Sequence, residues 1–123
     1  MKGLTSTLIL FFMIAGCTGI PKGLQAVSGF DDERFLGTWY EIARLDHPFE
    51  RGLSNVTARY TRGSGGEIEV LNRGFDTRKG QWRETGGTAR FSGDRNIGSL
   101  EVSFSGPFCG GYHVIALDRE EYT

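Results

Sequence analysis

The residues of a type that could carry chemistry are few. His47 and His113 are the only imidazoles. A zinc site built on them would need Cys109 or carboxylates as further ligands, and none of these residues stands at metal-ligand spacing. No metal and no cofactor is expected. Cys109, with His113 four positions on, has the residue types of a thiol nucleophile and its base. A working pair also needs hydrogen-bond reach and a third group to orient the base, which a separation of four along a strand does not supply. Cys109 therefore reads as a turn residue, and no catalytic residue or enzyme activity is expected. Glu67 and Glu69 alternate with Ile68 and Val70, which sends both carboxylates to the solvent side of one strand. Gly63-Ser64-Gly65-Gly66 lacks the Lys-Ser/Thr and the following helix of a phosphate loop and reads as a hairpin turn. Arg73, Arg78, Lys79 and Arg83 form a basic cluster, by default a solvated loop and otherwise a contact for anionic headgroups.

The chemistry to which the sequence does point is covalent lipidation. Lys2 precedes a short apolar core from Leu8 to Ile14, and Ala15-Gly16 lead into Cys17. That core is far shorter than the roughly 20 residues that span a bilayer, so it predicts a secretory signal. Small residues before a cysteine resemble the bacterial lipobox, with Ile14 where Leu is more usual. The resemblance implies cleavage before Cys17, a diacylglyceryl group on its sulfur and an acylated new amino terminus. Residues 1–16 are then signal peptide, and residues 17–30, with Gly19, Pro21, Gly23 and Gly29, a tether. Thr18, where an Asp would favour the inner membrane, implies the outer one. With Cys17 so used, no Cys17–Cys109 disulfide is expected and Cys109 stands unpaired.

Elements that could position a site follow from composition and period. Nineteen glycines against 3 prolines, in 123 residues of net charge −1, point to many tight turns in one domain and not to a nucleic-acid partner. Asp31 to Gly37 predicts a single capped helical turn. A strand should follow with Trp39, Glu41 and Ala43 on one face, ended by His47-Pro48. Val56, Ala58 and Tyr60 alternate in the next strand, then Ile68 and Val70 after the glycine turn. Gln81 to Phe91 reads as a strand around a Gly86-Gly87 bulge, with Ala89 and Phe91 inward. Leu100, Val102 and Phe104 keep a period of two, and Tyr112 to Leu117, with Tyr112 and Val114 inward, makes a last strand ending at Asp118. Six short strands in hairpin-length succession predict an all-β fold, an antiparallel up-and-down barrel. Its inward residues from Val56 to Val114 are the candidate cavity lining.

These residues carry a family resemblance. Gly37-Thr38-Trp39-Tyr40-Glu41-Ile42-Ala43-Arg44 resembles the first signature of the lipocalins, and the stretch from Gly106-Pro107-Phe108 to Asp118 is similar to the region of the second. With Phe49-Glu50-Arg51-Gly52-Leu53 and the lipobox, the likeness is to the lipid-anchored bacterial outer-membrane branch. It implies an eight-stranded barrel followed by a helix, of which residues 31–123 supply six strands, so a fragment of a longer protein is expected. Missing too would be the late Arg that packs over Trp39, leaving that ring without its cover. Gly37, Trp39 and Asp118 would be structural. The resemblance implies a carrier of fatty acids or lysophospholipids facing the periplasm. An acyl chain of about 16 carbons gains at most roughly 13 kcal/mol on burial, against several for association. The other expectation is an interaction scaffold or non-functional fragment with open strand edges, with a homodimer as one outcome.

Overall fold

The computed structural model describes residues 19–46, 50–105 and 108–123. One helical turn, α1 (Asp32–Phe35), precedes strands β1 (Gly37–Tyr40), β2 (Leu53–Arg62), β3 (Ile68–Asp76), β4 (Gln81–Phe91), β5 (Ser99–Ser105) and β6 (Phe108–His113). The strands pair antiparallel in one sheet whose order is the chain order, with β1 and β6 at its edges. The sheet is strongly curled. Tyr60 on β2 and Tyr112 on β6 lie four strands apart, which on a flat sheet would be about 19 Å; their ring centroids are 6.3 Å apart.

The curl closes over an aromatic base. Asp31 caps α1 by accepting from the Glu33 N–H at 3.1 Å, and this turn delivers Phe35, only 2% exposed, to the end of the cup. Phe35 lies 4.3 Å from Tyr60, 5.5 Å from Trp39, 6.2 Å from Tyr112 and 5.2 Å from Phe30, centroid to centroid. Ile68, Val70, Ala89 and Leu100 complete the buried core. At the same end Arg62 and Arg95 converge on the Asp32 carboxylate, Arg62 also pairs with Glu33, and Arg95 donates to the Gly66 carbonyl.

Several expectations are corrected here. The first strand ends at Tyr40, and residues 41–46 run irregularly, leaving Ile42 and Leu45 more than 90% exposed. The last strand comes earlier than expected, so Cys109-Gly110-Gly111 is strand and not turn, while residues 114–117 carry no strand. The part of the tether nearest the domain is packed: Val27 donates to the Val114 carbonyl at 2.8 Å and accepts from Gly98 at 2.9 Å, and Phe30 is buried. His47, Pro48 and Phe49, Gly106 and Pro107, and Cys17 with the signal segment lie outside the described residues.

No bulge occurs at Gly86-Gly87. The β3–β4 ladder runs unbroken from Ile68↔Ala89 to Asp76↔Gln81, and register shifts fall between Ser54 and Thr57 and between Val102 and Ser105. Gly87 is small for another reason: a Cβ there would stand 2.7 Å from the Ser103 carbonyl and from Cδ1 of Phe104, whereas at Gly86 the nearest atom would be 3.9 Å away. Gly87→Ala should therefore cost about 1–3 kcal/mol by overpacking, and Gly86→Ala less than about 0.5 kcal/mol. Urea unfolding of the two variants side by side checks this contrast.

Candidate functional site

Directly opposed residues of an antiparallel pair share a face, so the unbroken β3–β4 ladder fixes what the cup presents inward. From base to mouth the inner pairs are Ile68 with Ala89, Val70 with Gly87, Asn72 with Thr85, Gly74 with Arg83, and Asp76 with Gln81. Tyr60 pairs with Val70, Ala58 with Trp39, Val102 with Ala89, and Leu100 with both Phe91 and Tyr112, which places these on the same concave face. Val56 is buried beside Gly74, Val114 packs on the core, and Phe104, 43% exposed, lies over Gly87. The inward residues expected from the sequence are thus brought together, but Tyr60, Ile68, Val70, Ala89 and Leu100 are packed core rather than open wall.

Open space lies beside them. A cleft of about 280 Å³ runs between Phe35 and Trp39 on one side and Tyr112, Val114 and Leu117 on the other. That is close to the lower end of the roughly 300–1,000 Å³ typical of small-molecule sites. Tyr60 and Tyr112 offer phenols near it. Burial, with the Tyr112 hydroxyl beside it, pushes the Tyr60 phenol far above its ordinary value, so it stays protonated at any physiological pH.

Trp39 is half-buried and flanks the cleft, and no guanidinium among the described residues stacks on its ring. Its Nε1 donates to the Phe35 carbonyl at 2.8 Å, and Tyr122 stands 6.4 Å from it. The Arg34 guanidinium lies 4.6 Å over Tyr122, whose hydroxyl accepts from the Asp31 N–H and donates to the Asp31 carbonyl, both at 2.8 Å. Asp118 shapes the turn that brings Tyr122 back, its Oδ1 accepting from the N–H groups of Glu120 at 2.9 Å and Glu121 at 3.1 Å. Gly37 has φ +116°, a value that favours glycine, just where α1 turns into β1.

The basic cluster is not one patch. Arg73 lies on the outer face with its guanidinium 4.0 Å over Trp82, Arg78 and Lys79 follow at the hairpin tip, and Arg83 is on the inner face. The sequence reading missed Phe30, Phe35 and Tyr122 as the base, and Asn72, Thr85 and Arg83 as the inner rim. A bulge at Gly86-Gly87 would have turned Thr85 and Arg83 outward. Cys109, expected unpaired, is disulfide-bonded. His113 Nδ1 lies 2.9 Å from Ser99 Oγ, and no cluster among the described residues could hold a metal ion.

The lipocalin-like domain family matches residues 30–123. The chain belongs to the lipocalin family. It is 52% identical over 111 residues to outer membrane lipoprotein Blc of Citrobacter freundii, covering 89% of this chain and 63% of that protein. To the Blc of Vibrio cholerae it is 51% identical, over 90% of this chain and 65% of that protein. Mouse apolipoprotein D is 35% identical over 76% of this chain and 49% of its own length. The chain thus spans somewhat less than two thirds of the bacterial relatives it matches. A crystal structure of the cockroach allergen Per a 4 superimposes with a TM-score of 0.62 at 19% identity, covering 83% of this chain and 59% of that one, which shows the shared lipocalin fold.

Asp76 stands at the mouth of this lipocalin with its carboxyl held in the ionised form. The Lys79 and Arg78 N–H groups donate to Asp76 Oδ1 at 3.1 and 3.0 Å, with the Arg83 cation nearby, and hold its carboxyl below the usual value of 3.8. A depressed folded-state value means that this contribution is fully present above the unfolded value and is lost as pH falls through the lower folded one. Stability should therefore fall off below about pH 4, and Asp76→Asn should flatten that acid limb. Urea midpoints measured from pH 2 to 7 check it.

Proposed function

We propose that this protein is a membrane-anchored lipocalin of the bacterial envelope that binds or transports fatty acids or lysophospholipids without chemical change. The observation that carries the reading is the concave face, largely aromatic and aliphatic at the base and along the cleft, where His113 and Thr123 are the polar lining residues, and more polar towards the mouth. A cleft of about 280 Å³ can take part of an acyl chain. The Blc relatives are named outer membrane lipoproteins, which supports the envelope setting.

The anchor would be Cys17, with residues up to about 26 as the slack between lipid and domain. Each buried methylene contributes about 0.8 kcal/mol, so two or three acyl chains hold such a protein on its membrane almost permanently. A sulfur in a thioether cannot also sit in a disulfide, and Cys17 is the only other cysteine of the chain, so lipidation of Cys17 and the disulfide at Cys109 exclude each other in one molecule. Mass spectrometry of the amino-terminal peptide from envelope-purified protein should find diacylglyceryl on Cys17; a Cys17–Cys109 cross-link in that material would overturn the anchor. For the carrier reading, a fluorescent fatty acid should bind saturably with micromolar or tighter affinity and be displaced by palmitate. Absence of saturable binding would sink it.

A further inference from the structure

The inner face of the β3–β4 ribbon changes character along its length, and the change is abrupt. Ile68, Val70, Gly87 and Ala89 make its lower half entirely apolar, and one step up Asn72 and Thr85 face each other, followed by Arg83 opposite Gly74. Successive inner pairs are two residues apart, about 7 Å along the strands, so the amide, the hydroxyl and the guanidinium fall within the reach of one polar group. Arg83 is the one cation on this face of the ribbon. Its guanidinium makes a loose ion pair with Asp76 Oδ2 at 3.7 Å, too long for a hydrogen bond, while the other Asp76 oxygen already serves the Arg78 and Lys79 N–H groups. The Arg83 side chain is 55% exposed, and a guanidinium carries five donors in a planar fork suited to an anionic oxygen pair. Among the described residues, β4 pairs with β5 over residues 88–91.

We propose that Arg83, Asn72 and Thr85 form the subsite for an anionic headgroup at the mouth of the cup. The ligand is a single-chain amphiphile bearing a carboxylate or phosphate, its tail directed to the aromatic base. This rests on the carrier reading above. Asn72 and Thr85 meet the linkage atoms just below the charge, and Arg83 the charge itself. Arg73, on the opposite face of the same ribbon and stacked on Trp82, takes no part.

Three ligands with one tail separate the possibilities: palmitate, hexadecanol and palmitoyl lysophosphatidylcholine, titrated into the unsubstituted protein and into Arg83→Gln, Arg83→Lys and Arg73→Gln. Arg83→Gln should weaken palmitate by about three- to tenfold, the size of one charge-assisted hydrogen bond at a partly solvated site, and leave hexadecanol unchanged. Arg83→Lys should recover part of the loss, and Arg73→Gln should bind all three as the unsubstituted protein does. Loss for the lysolipid as well as palmitate identifies phosphate among the anions accepted; loss for palmitate alone identifies carboxylate. Equal loss of palmitate and hexadecanol, or no loss of palmitate, overturns the subsite while the carrier reading stands. Failure of the unsubstituted protein to bind any of the three overturns the carrier reading, and the subsite with it.

Discussion

The packing of Phe35 against Tyr60, Trp39 and Tyr112 is the contact on which the cup depends. A six-stranded sheet has no intrinsic reason to bring its second and sixth strands within aromatic contact. One ring, carried by a single helical turn, touches side chains from β1, β2 and β6 together and so fixes the curl. The turn is itself held by the carboxylates of Asp32 and Glu33 on Arg62 and Arg95, which join it to the end of β2 and the β4–β5 connection. Burial disfavours the Asp32 charge, but the two guanidinium groups more than offset it and keep the carboxyl below its usual value. Base, curl and cleft therefore depend on one another.

Among the described residues, the edges of the sheet are β1 and β6. Between them lies the cleft, with Trp39 on one flank and residues 112–117 on the other. The chain after β6 turns at Asp118 and returns Tyr122 to the base, where Arg34 stacks on it and donates to the Arg119 and Glu120 carbonyls. Arg119 in turn holds the carbonyls of Ser28 and Gly29, at 2.6 and 3.2 Å. The amino-terminal approach and the carboxy-terminal turn are thus stitched together at one end of the cup.

What could be read from the sequence followed period and signature. Alternation placed Ala58, Tyr60, Val70, Ala89 and Leu100 on one face because every second residue in a strand must share it, and the pairing register agrees. The failures have physical causes. Glycine in a strand signals either a bulge or a close approach; at Gly87 it is the approach of Phe104, which no local pattern reveals. The choice mattered, because register across that glycine decides whether Arg83 faces ligand or solvent. Phe35 and Tyr122 lie outside any alternating run, and their burial arises from contacts over long sequence separations. Residues 114–117 have strong strand propensity but find no described partner strand, and propensity without a partner leaves them irregular.

The ends of the cup differ in a way that bears on the proposed anchor. The chain enters at the base, where Val27 pairs with Gly98 and Val114, while the rim with Arg83, Asn72 and Thr85 is at the other end of the strands. From Ile68 to Asp76 the inner face runs about 27 Å. For an anchor at Cys17, a random-coil span of about ten residues to Val27 would be only roughly 17 Å. Turning the mouth onto the anchoring membrane would require that stretch to be pulled nearly taut. Were Cys17 the anchor, the relaxed arrangement would put the base towards the bilayer and the rim away from it, because the contact at Val27 fixes the chain at the base.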